Sequence, residues 1–548
     1  MSQPSSWLGK LLSARRCLPA MLYLCLLLCL SSVLVWRPLH GYLDYWMHAA
    51  VGRWICEHGE IPRRTLFLWT ANEPWVYHEW LSQLVFYGLA RLAGEQGLPY
   101  VVLGFTMAMV ALSFLPAWAM WARRGRISAW VIVPFFLYLD ASFPRFQPRP
   151  ELFTIVFLGV LLRAMCAWSA RPPGKVDMAD LIAAAAFLPL FALWANFHGG
   201  VMAGLIFLGT TAACDLVQDR FSRRARILAL LTPLAVLAVT ANPYGFQYWL
   251  AFQPVGSQLF AHIQEWQPLW RLSEWPMEIV IEDVLLTALA LLAWIVNPAR
   301  RWAQLAWLIA AVGMFASAVR NSWLLALVSL TTLAANGGAL DPLRLWDALS
   351  RRINRRTDGP APPVPAYLRW LVRLGLTAWL AMQVFIRWND VLIMNALMPE
   401  KLAQGAIQFI REQRPTGRMF ADSENASFLD WQFGGDPPVF ADALDAYPDA
   451  VLRDYIDIAV ADDRGRKLLQ SDWLDWVLLT TNRPGPSLAP LANYLDRSSD
   501  WMRVYAGGDG AIWVRRTPEA ERRWAPLLGS VTHTSFETME FYNRRPIR

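Results

Sequence analysis

The chain has 548 residues, and 55% of them are hydrophobic. Apolar runs of about 20 residues recur along it, which excludes an ordinary soluble protein and predicts membrane-spanning helices. The formal net charge is +7. The arginines cluster in short loops between the apolar runs, a distribution that follows the positive-inside rule for membrane proteins. The positive charge is therefore not taken to predict a nucleic-acid partner. The six cysteines form no CxxC pair, so neither a disulfide framework nor a thiolate metal site is expected.

About eleven spans are predicted in chain order between Leu18 and Ile386. The first follows the basic residues Arg15 and Arg16, which places the N-terminus inside. Its apolar run is too long for a signal peptide, so a retained span is favoured. Inner loops then fall at residues 123–126, 171–175, 220–226, 300–301 and 351–356, and outer turns at 145–151, 196–200, 242–277 and 320–321. Every strongly basic loop lies inside in this arrangement, as the rule requires.

Two segments outside the spans differ from them in composition. Residues 37–97 are too polar to span and are predicted to form interfacial helices in a large first outer loop. Residues 387–548 follow a Pro-rich inner linker at Asp358–Pro365 and the last span, and they predict a small extracytoplasmic α/β domain. The fold class is therefore an α-helical polytopic membrane domain, 1–386, with a small C-terminal soluble domain. The C-terminal domain contains short apolar pieces at Met419–Ala421, Val439–Ala441 and Trp476–Leu479, and a hairpin whose strands, Val504–Ala506 and Ala511–Val514, flank Gly-Gly-Asp-Gly.

The first outer loop contains the most concentrated group of polar residues. Asp44 and His48 are four residues apart, so on a helix they share one face. His78 and Glu79 follow in the same loop. One interpretation is a carboxylate oriented by an imidazole at the membrane surface, and the other is an interfacial helix with ordinary polar residues. Ionisable groups at membrane depth favour the first.

The other outer turns contribute further candidates, each with a simpler alternative. Asn-Pro and Gly-Gly are turn signals, a histidine after a helix can be a cap, and an arginine can extend to lipid headgroups. Metal ligands could come from His48, His78, Glu79 and His198. No HExxH spacing is present, so no metal site is predicted, although a divalent metal stays open. The candidates in these turns are Arg145, Arg149, Asn196, His198, Asn242, Glu265 and Arg320.

The chain resembles the GT-C superfamily of membrane glycosyltransferases, and within it a large bacterial group. The resemblance rests on the Asp just after the first span, the long first outer loop, the span number and the C-terminal outer domain. Local strings support it over most of residues 37–330: Asp44-Tyr-Trp-Met-His48, Gly52-Arg53-Trp-Ile, His78-Glu79-Trp80-Leu-Ser, Arg149-Pro-Glu-Leu-Phe, Trp194-Ala-Asn196-Phe-His198-Gly-Gly and Asn242-Pro-Tyr-Gly. One departure is Arg64-Thr65-Leu66, where the group often has an acidic residue followed by Pro; any role of that acidic residue does not transfer.

The resemblance implies an inverting transfer of a sugar from a polyprenyl-phosphate donor to an extracytoplasmic acceptor. Asp44 would be the general base, with Glu79 and His78 completing the catalytic set. Arg320, Arg149 and Arg145, in that order, would bind the leaving phosphate. His48, Asn196, His198, Asn242 and Glu265 would bind substrate or orient the base. The expected location is the bacterial cytoplasmic (inner) membrane, with the site on its outer side.

Three alternatives remain open. The first is an oligosaccharide ligase or polymerase with a pyrophosphate-linked donor. The second is a transporter or lipid flippase, which should carry polar residues at mid-span depth; the predicted spans are nearly free of charge at their centres. The third is a non-catalytic assembly protein that kept the fold. Substitution of Asp44 and Arg320 separates an enzyme from the third alternative.

Overall fold

The structure is a computed structural model. It describes residues 22–31, 43–122, 129–172, 176–252, 264–271, 277–337, 365–397, 404–444, 446–471, 473–481, 487–528 and 536. The basic N-terminus, most of the Pro-rich linker, and the predicted basic loops at 123–126 and 351–356 lie outside these ranges.

The described residues are mainly helical, with four short strands near the C-terminus. The helices are α1 (Leu22–Ser31), α2 (Leu43–His58), α3 (Trp80–Ala122), α4 (Ile132–Ser142), α5 (Glu151–Ser169), α6 (Met178–Ala185), α7 (Phe187–Phe197), α8 (Val201–Gln218), α9 (Arg223–Val239), α10 (Met277–Val296), α11 (Trp302–Ser317), α12 (Ser322–Asn336), α13 (Ala366–Leu397), α14 (Gln404–Gln413), α15 (Ser423–Phe433), α16 (Asp449–Val460), α17 (Asp463–Gln470), α18 (Ala489–Arg497) and α19 (Pro518–Leu528). The strands are β1 (Met419–Ala421), β2 (Trp476–Thr480), β3 (Trp501–Gly507) and β4 (Gly510–Arg515).

Within the described ranges, five helical segments are long and apolar enough to cross a membrane: Gly97–Ala122, Glu151–Ser169, Met178–Phe197, Val201–Gln218 and Met277–Val296. They coincide with the second, fourth, fifth, sixth and eighth predicted spans. The total of about eleven spans stays a prediction.

The chain divides into two compact units. The first comprises residues 1–37, 102–242 and 263–392, and the second comprises residues 38–101, 243–262 and 393–548. Each contains one of the two residue clusters described below. The predicted domain boundary at residues 386 and 387 stays a prediction.

In the first unit, apolar helix faces pack together and polar side chains pair between helices. Arg387 of α13 donates to both carboxylate oxygens of Asp140 of α4, at 2.9 and 2.7 Å. Arg301 donates to Asp215 and Asp219 at the end of α8, both at 2.7 Å. These pairs join segments far apart in sequence, and a buried charge needs such partners because burial removes its hydration.

In the second unit, the four strands form one sheet in the order β1-β2-β4-β3. β1 pairs with β2 in parallel, whereas β4 runs antiparallel to both of its neighbours. The hairpin of β3 and β4 turns at Gly507–Gly510, which confirms the predicted Gly-Gly-Asp-Gly turn. The apolar piece Val439–Ala441 is not one of these four strands and forms a single bridge from Val439 to Leu68.

Within the second unit, the first loop contacts the C-terminal part of the chain. Trp69 donates from its indole nitrogen to the carbonyl of Met419 on β1, at 2.8 Å. Trp46 of α2 packs against Phe428 and Trp431 of α15, with ring centroids 5.0 and 5.9 Å apart. The helix that carries Asp44 is therefore positioned by the C-terminal part of the chain.

Candidate functional site: two clusters of charged residues

Helix α2 places the first cluster, in the second unit. Asp44 lies in its first turn and is half-buried, and His48 lies one turn further on and is buried. Gly52 allows α2 to approach α3 closely, since a Cβ at this position would lie 2.1 Å from the carbonyl oxygen of Gln83. The sequence prediction that Asp44 and His48 share a helix face is confirmed.

Glu79 lies between two imidazole rings. His48 Nδ1 is 3.7 Å from one carboxylate oxygen, and His78 Nε2 is 3.5 Å from the other. Burial alone lowers the pKa of His78, but the Glu79 carboxylate and the Val76 carbonyl together outweigh burial, and the pKa is raised from its ordinary value. We call His48, His78 and Glu79 the His–Glu cluster. Its geometry suits a proton-holding or hydroxyl-binding group.

Two tyrosines beside this cluster were not identified from the sequence. Tyr248 is buried and its ring lies edge-on to His78, with centroids 6.5 Å apart. Burial raises its pKa, and the charge of Glu79 adds to this effect. Tyr244 donates to the carbonyl of Pro62 at 2.7 Å and accepts from the backbone N–H of Tyr77 at 3.0 Å. A detectable signal was the aromatic run directly after Asn-Pro in a predicted outer loop.

Asp430, on α15, is a second feature that the sequence did not indicate. Its side chain is buried, and neither carboxylate oxygen has a hydrogen-bond partner among the residues that the structure describes. Burial raises its pKa well above the ordinary value, and the nearby carboxyl of Asp442 raises it further. Arg53 of α2 donates to the backbone carbonyl of Asp430 at 3.2 Å and lies over the ring of Trp431.

The second cluster, in the first unit, is built around Arg145. This residue ends a short 3-10 turn after α4 and is buried. It donates from Nε to Glu151 at 2.7 Å, and its Nη2 also contacts the same oxygen. The other oxygen of Glu151 accepts from the Trp323 indole at 3.0 Å and lies 3.7 Å from Arg320 Nη2. Glu151, only 7% exposed, is thus the buried counter-charge of two arginines.

Three guanidiniums surround the carboxylate of Glu265, which is 28% exposed. Arg145 Nη1 lies at 2.5 Å, Arg320 Nη1 at 3.4 Å and Arg149 Nη1 at 4.0 Å. We call these three arginines with Glu151 and Glu265 the arginine cluster. Of the predicted site residues, the structure therefore brings together Arg145, Arg149, Glu265 and Arg320, which come from three separate turns.

The loop that carries Glu265 is tied to the segment that carries Arg320. The guanidinium of Arg320 lies 4.1 Å from the centroid of the Trp266 ring. The backbone N–H of Val319 donates to the carbonyl of Gln267 at 3.2 Å. Cation–π stacking and a backbone hydrogen bond thus hold residues on both sides of the Glu265–Arg320 pair.

His198 follows α7 and is locked in one orientation. Its Nδ1 accepts from the backbone N–H of Gly200 at 3.0 Å and lies 2.8 Å from the Thr154 hydroxyl. Since Nδ1 accepts a hydrogen bond, the ring is neutral, with its proton on Nε2. A side chain at Gly200 would not fit, because a Cβ there would lie 2.4 Å from Thr154 Oγ1.

The two asparagines of the predicted site bind backbone. Asn196 donates to the carbonyls of Ala192 and Ala241, at 2.7 and 2.9 Å. Asn242 donates to the carbonyl of Val239 at 2.7 Å. These bonds satisfy carbonyls near helix ends, which is the turn chemistry that Asn-Pro signals. A substrate-binding role for either residue stays a prediction.

Asp283 is a buried ionisable residue within a candidate span. Asp283 of α10 is fully buried, and neither carboxylate oxygen has a hydrogen-bond partner in the described part of the chain. The predicted spans were expected to be nearly free of charge at their centres, and Asp283 was not among the predicted site residues. An ionisable residue inside an apolar run was the available signal.

Within the described ranges, no group of three or more His, Cys, Asp and Glu residues is arranged to hold a metal ion. Of the metal ligands that the sequence offered, His48, His78 and Glu79 lie together in the second unit, and His198 lies in the first.

Comparison of the structure with solved structures shows its fold. The chain is similar to an oligosaccharyltransferase from Archaeoglobus fulgidus with a tethered acceptor peptide, at a TM-score of 0.55 and 12% identity, over 91% of this chain and 74% of that one. It is also similar to the arabinofuranosyltransferase AftD from Mycobacteria, at a TM-score of 0.53 and 14% identity. This second match covers 91% of this chain but only 40% of the length of AftD.

Both neighbours are GT-C membrane glycosyltransferases. The chain therefore has the GT-C fold, which confirms the fold that the sequence predicted. No protein-family model matches the sequence, and no curated protein matches it.

Proposed function

We propose that this protein is an inverting glycosyltransferase. It transfers a sugar from a polyprenyl-phosphate donor to an acceptor on the extracytoplasmic side of the bacterial inner membrane. The GT-C fold supports a membrane glycosyltransferase in general. The proposal adds to this fold the identity of the donor, the side of the membrane on which transfer occurs and the roles of individual residues.

The observation that carries the proposal is the convergence of Arg145, Arg149 and Arg320 within 4.0 Å of a single carboxylate. Guanidiniums bind phosphate through paired, charge-assisted hydrogen bonds. In a transfer from a lipid phosphate, negative charge grows on the phosphate oxygen as its bond to the sugar breaks. A preorganised set of cations stabilises that charge in the transition state more than in the ground state.

The acceptor hydroxyl has to lose a proton as its oxygen bonds to the anomeric carbon. In the proposal, the Asp44 carboxylate takes this proton. The new glycosidic bond forms on the face opposite to the phosphate, so the configuration inverts, and the polyprenyl phosphate leaves with the bonding electrons. Glu79, held between His48 and His78, binds a sugar hydroxyl or orients the acceptor.

The acceptor is proposed only by class, as a glycan, lipid or protein. One neighbour carries an acceptor peptide and the other is an arabinofuranosyltransferase, so the shared fold accommodates different acceptors. Function resides in the site residues and not in the fold.

The test is transfer from a panel of polyprenyl-phosphate sugars by purified protein in nanodiscs. Asp44→Asn should lower kcat about 100-fold or more, because a general base contributes about that much. Glu57→Gln, on the same helix and 58% exposed, is the matched control and should leave kcat unchanged. Full activity of a folded Asp44→Asn variant would remove Asp44 from the mechanism.

Arg320→Gln separates the phosphate site from the base. It should weaken donor binding and lower kcat/KM, since one of three cations is lost. Arg300→Gln is its control, because Arg300 also lies over a tryptophan ring, that of Trp294, at a predicted inner loop. If donor binding is the same in both variants, the arginine cluster is not the phosphate site.

A further inference from the structure

The arginine cluster carries a definite charge balance. Three guanidiniums face two carboxylates, those of Glu151 and Glu265, which leaves one positive charge among the described side chains of the cluster. His198 adds no charge to this balance, because its Nδ1 accepts a hydrogen bond from Gly200 and the ring is neutral.

The two carboxylates have different positions in this balance. Glu151 is 7% exposed and holds Arg145 and Arg320 from the buried side. Glu265 is 28% exposed and touches all three arginines. Of the two carboxylates, Glu265 is therefore the one accessible to an anion from solvent, and this residue decides whether the cluster offers one positive charge or two.

The structure favours a Glu265 that stays in place. Its neighbour Trp266 lies against the Arg320 guanidinium, and Gln267 accepts a hydrogen bond from the backbone of Val319. Both contacts fix the loop backbone next to Glu265, so a displacement of this loop from the arginines would break them. The cluster is thus built with a resident negative charge.

We propose that Glu265 sets the donor class: it makes the cluster accept a phosphodiester, which carries one negative charge, and reject a pyrophosphate diester, which carries two. The inference rests on the proposed function and deepens it, because it chooses between a monophosphate-linked and a pyrophosphate-linked lipid donor. The physical reason is that the second phosphate charge would lie beside the Glu265 carboxylate without a cation of its own.

The experiment measures binding, so no sugar or acceptor has to be known. The probes are farnesyl methyl phosphate and farnesyl methyl pyrophosphate, which differ by one phosphate charge. Each is titrated into the purified full-length protein in phosphatidylcholine nanodiscs. The wild-type protein should bind the phosphate more tightly. Glu265→Gln keeps the size and an acceptor oxygen for Arg145, and should shift the ratio of the two Kd values toward the pyrophosphate about tenfold.

Two controls make the outcome specific. Glu278→Gln removes an exposed carboxylate of the same unit and should leave the ratio unchanged. Glu265→Asp keeps the charge and should keep the wild-type preference, which also guards against misfolding of the Gln variant. A Glu265→Gln variant that binds both probes more tightly by the same factor overturns the inference, since Glu265 would then be a displaceable competitor.

Failure of the inference and failure of the proposed function give different results. If both probes bind, binding falls in Arg320→Gln, and the ratio is unchanged in Glu265→Gln, only the role of Glu265 is wrong. If neither probe shows saturable binding, or binding does not depend on Arg320, the phosphate site itself is wrong.

Discussion

The guanidinium of Arg320 lies 4.1 Å from the ring centroid of Trp266, the residue directly after Glu265. This cation–π contact holds the guanidinium over the indole ring, while its nitrogens lie 3.7 Å from Glu151 and 3.4 Å from Glu265. An arginine oriented in this way presents a fixed fork to an anion, whereas a lysine would act as a mobile point charge.

Trp266→Leu should therefore weaken donor binding although it removes no charge. A cation–π contact at a partly exposed site contributes about 1 kcal/mol, which corresponds to a Kd about fivefold higher. Binding of the farnesyl methyl phosphate probe measures it. Trp270→Leu is the control, because Trp270 is 73% exposed. Equal affinities in the two variants would show that the stacking does not orient Arg320.

Glu151→Gln should destabilise the protein strongly. The substitution removes the buried counter-charge of Arg145 and Arg320 and, of the two carboxylates of the cluster, leaves both guanidiniums only the more exposed one of Glu265. Breaking a buried ion pair on one side costs about 3 kcal/mol or more of the free energy of unfolding. Thermal unfolding in detergent gives the comparison, with Glu278→Gln at an exposed position as the control. Similar Tm values for the two variants would contradict a structural role for Glu151.

Much of the architecture could be predicted from the sequence, because it depends on local patterns. Apolar runs located five long helices, and Gly-Gly-Asp-Gly located the hairpin of β3 and β4. The strings around Asp44 and Glu79 identified the GT-C fold. Hydrophobicity and turn chemistry act over a few residues, so one chain is enough to read them.

The composition of the clusters could be predicted only in part. The turns with Arg145, Glu265 and Arg320 were predicted on one side of the membrane, but their convergence depends on helix packing over more than 100 residues of sequence separation. Tyr248 and Asp430 were not predicted for the same reason. Tyr248 is a candidate because it lies against His78, and Asp430 because it lies beside α2. Both neighbours are distant in sequence.

The His–Glu cluster should make stability depend on pH with a defined sign. The pKa of His78 is raised in the folded protein. The stabilisation it contributes is therefore complete below its ordinary pKa, about 6.5, and is lost as the pH rises through the folded pKa. The free energy of unfolding of wild type minus that of His78→Gln should accordingly fall as the pH rises through that window.

A ring-proton NMR titration of His78 measures the shift directly. Glu79→Gln should lower the pKa of His78, because the carboxylate that opposes the effect of burial is then removed. Glu57→Gln, at an exposed position of α2, should leave the titration unchanged. A His78 titration that is the same in Glu79→Gln and wild type would show that Glu79 is not its partner.

Asp430→Asn should stabilise the protein at neutral pH. Burial and the nearby Asp442 raise the pKa of Asp430, so the folded state keeps a proton that the unfolded state has released. Stability then falls as the pH rises from the ordinary aspartate pKa to the folded value and is constant above it. An asparagine has nothing to titrate, and the variant should gain about 1 kcal/mol or more over wild type near pH 7.

The control is a carboxyl-to-amide change at an exposed position, Glu519→Gln. It should change the free energy of unfolding by less than about 0.5 kcal/mol at any pH. Denaturation of both variants between about pH 4 and about pH 8 gives the comparison. An Asp430→Asn variant less stable than wild type at neutral pH would mean that the ionised carboxylate is satisfied in the fold. A more stable variant would instead indicate that the chain retains a destabilising buried acid beside α2, the helix that carries Asp44. Residues that reduce stability in this way are often retained for function.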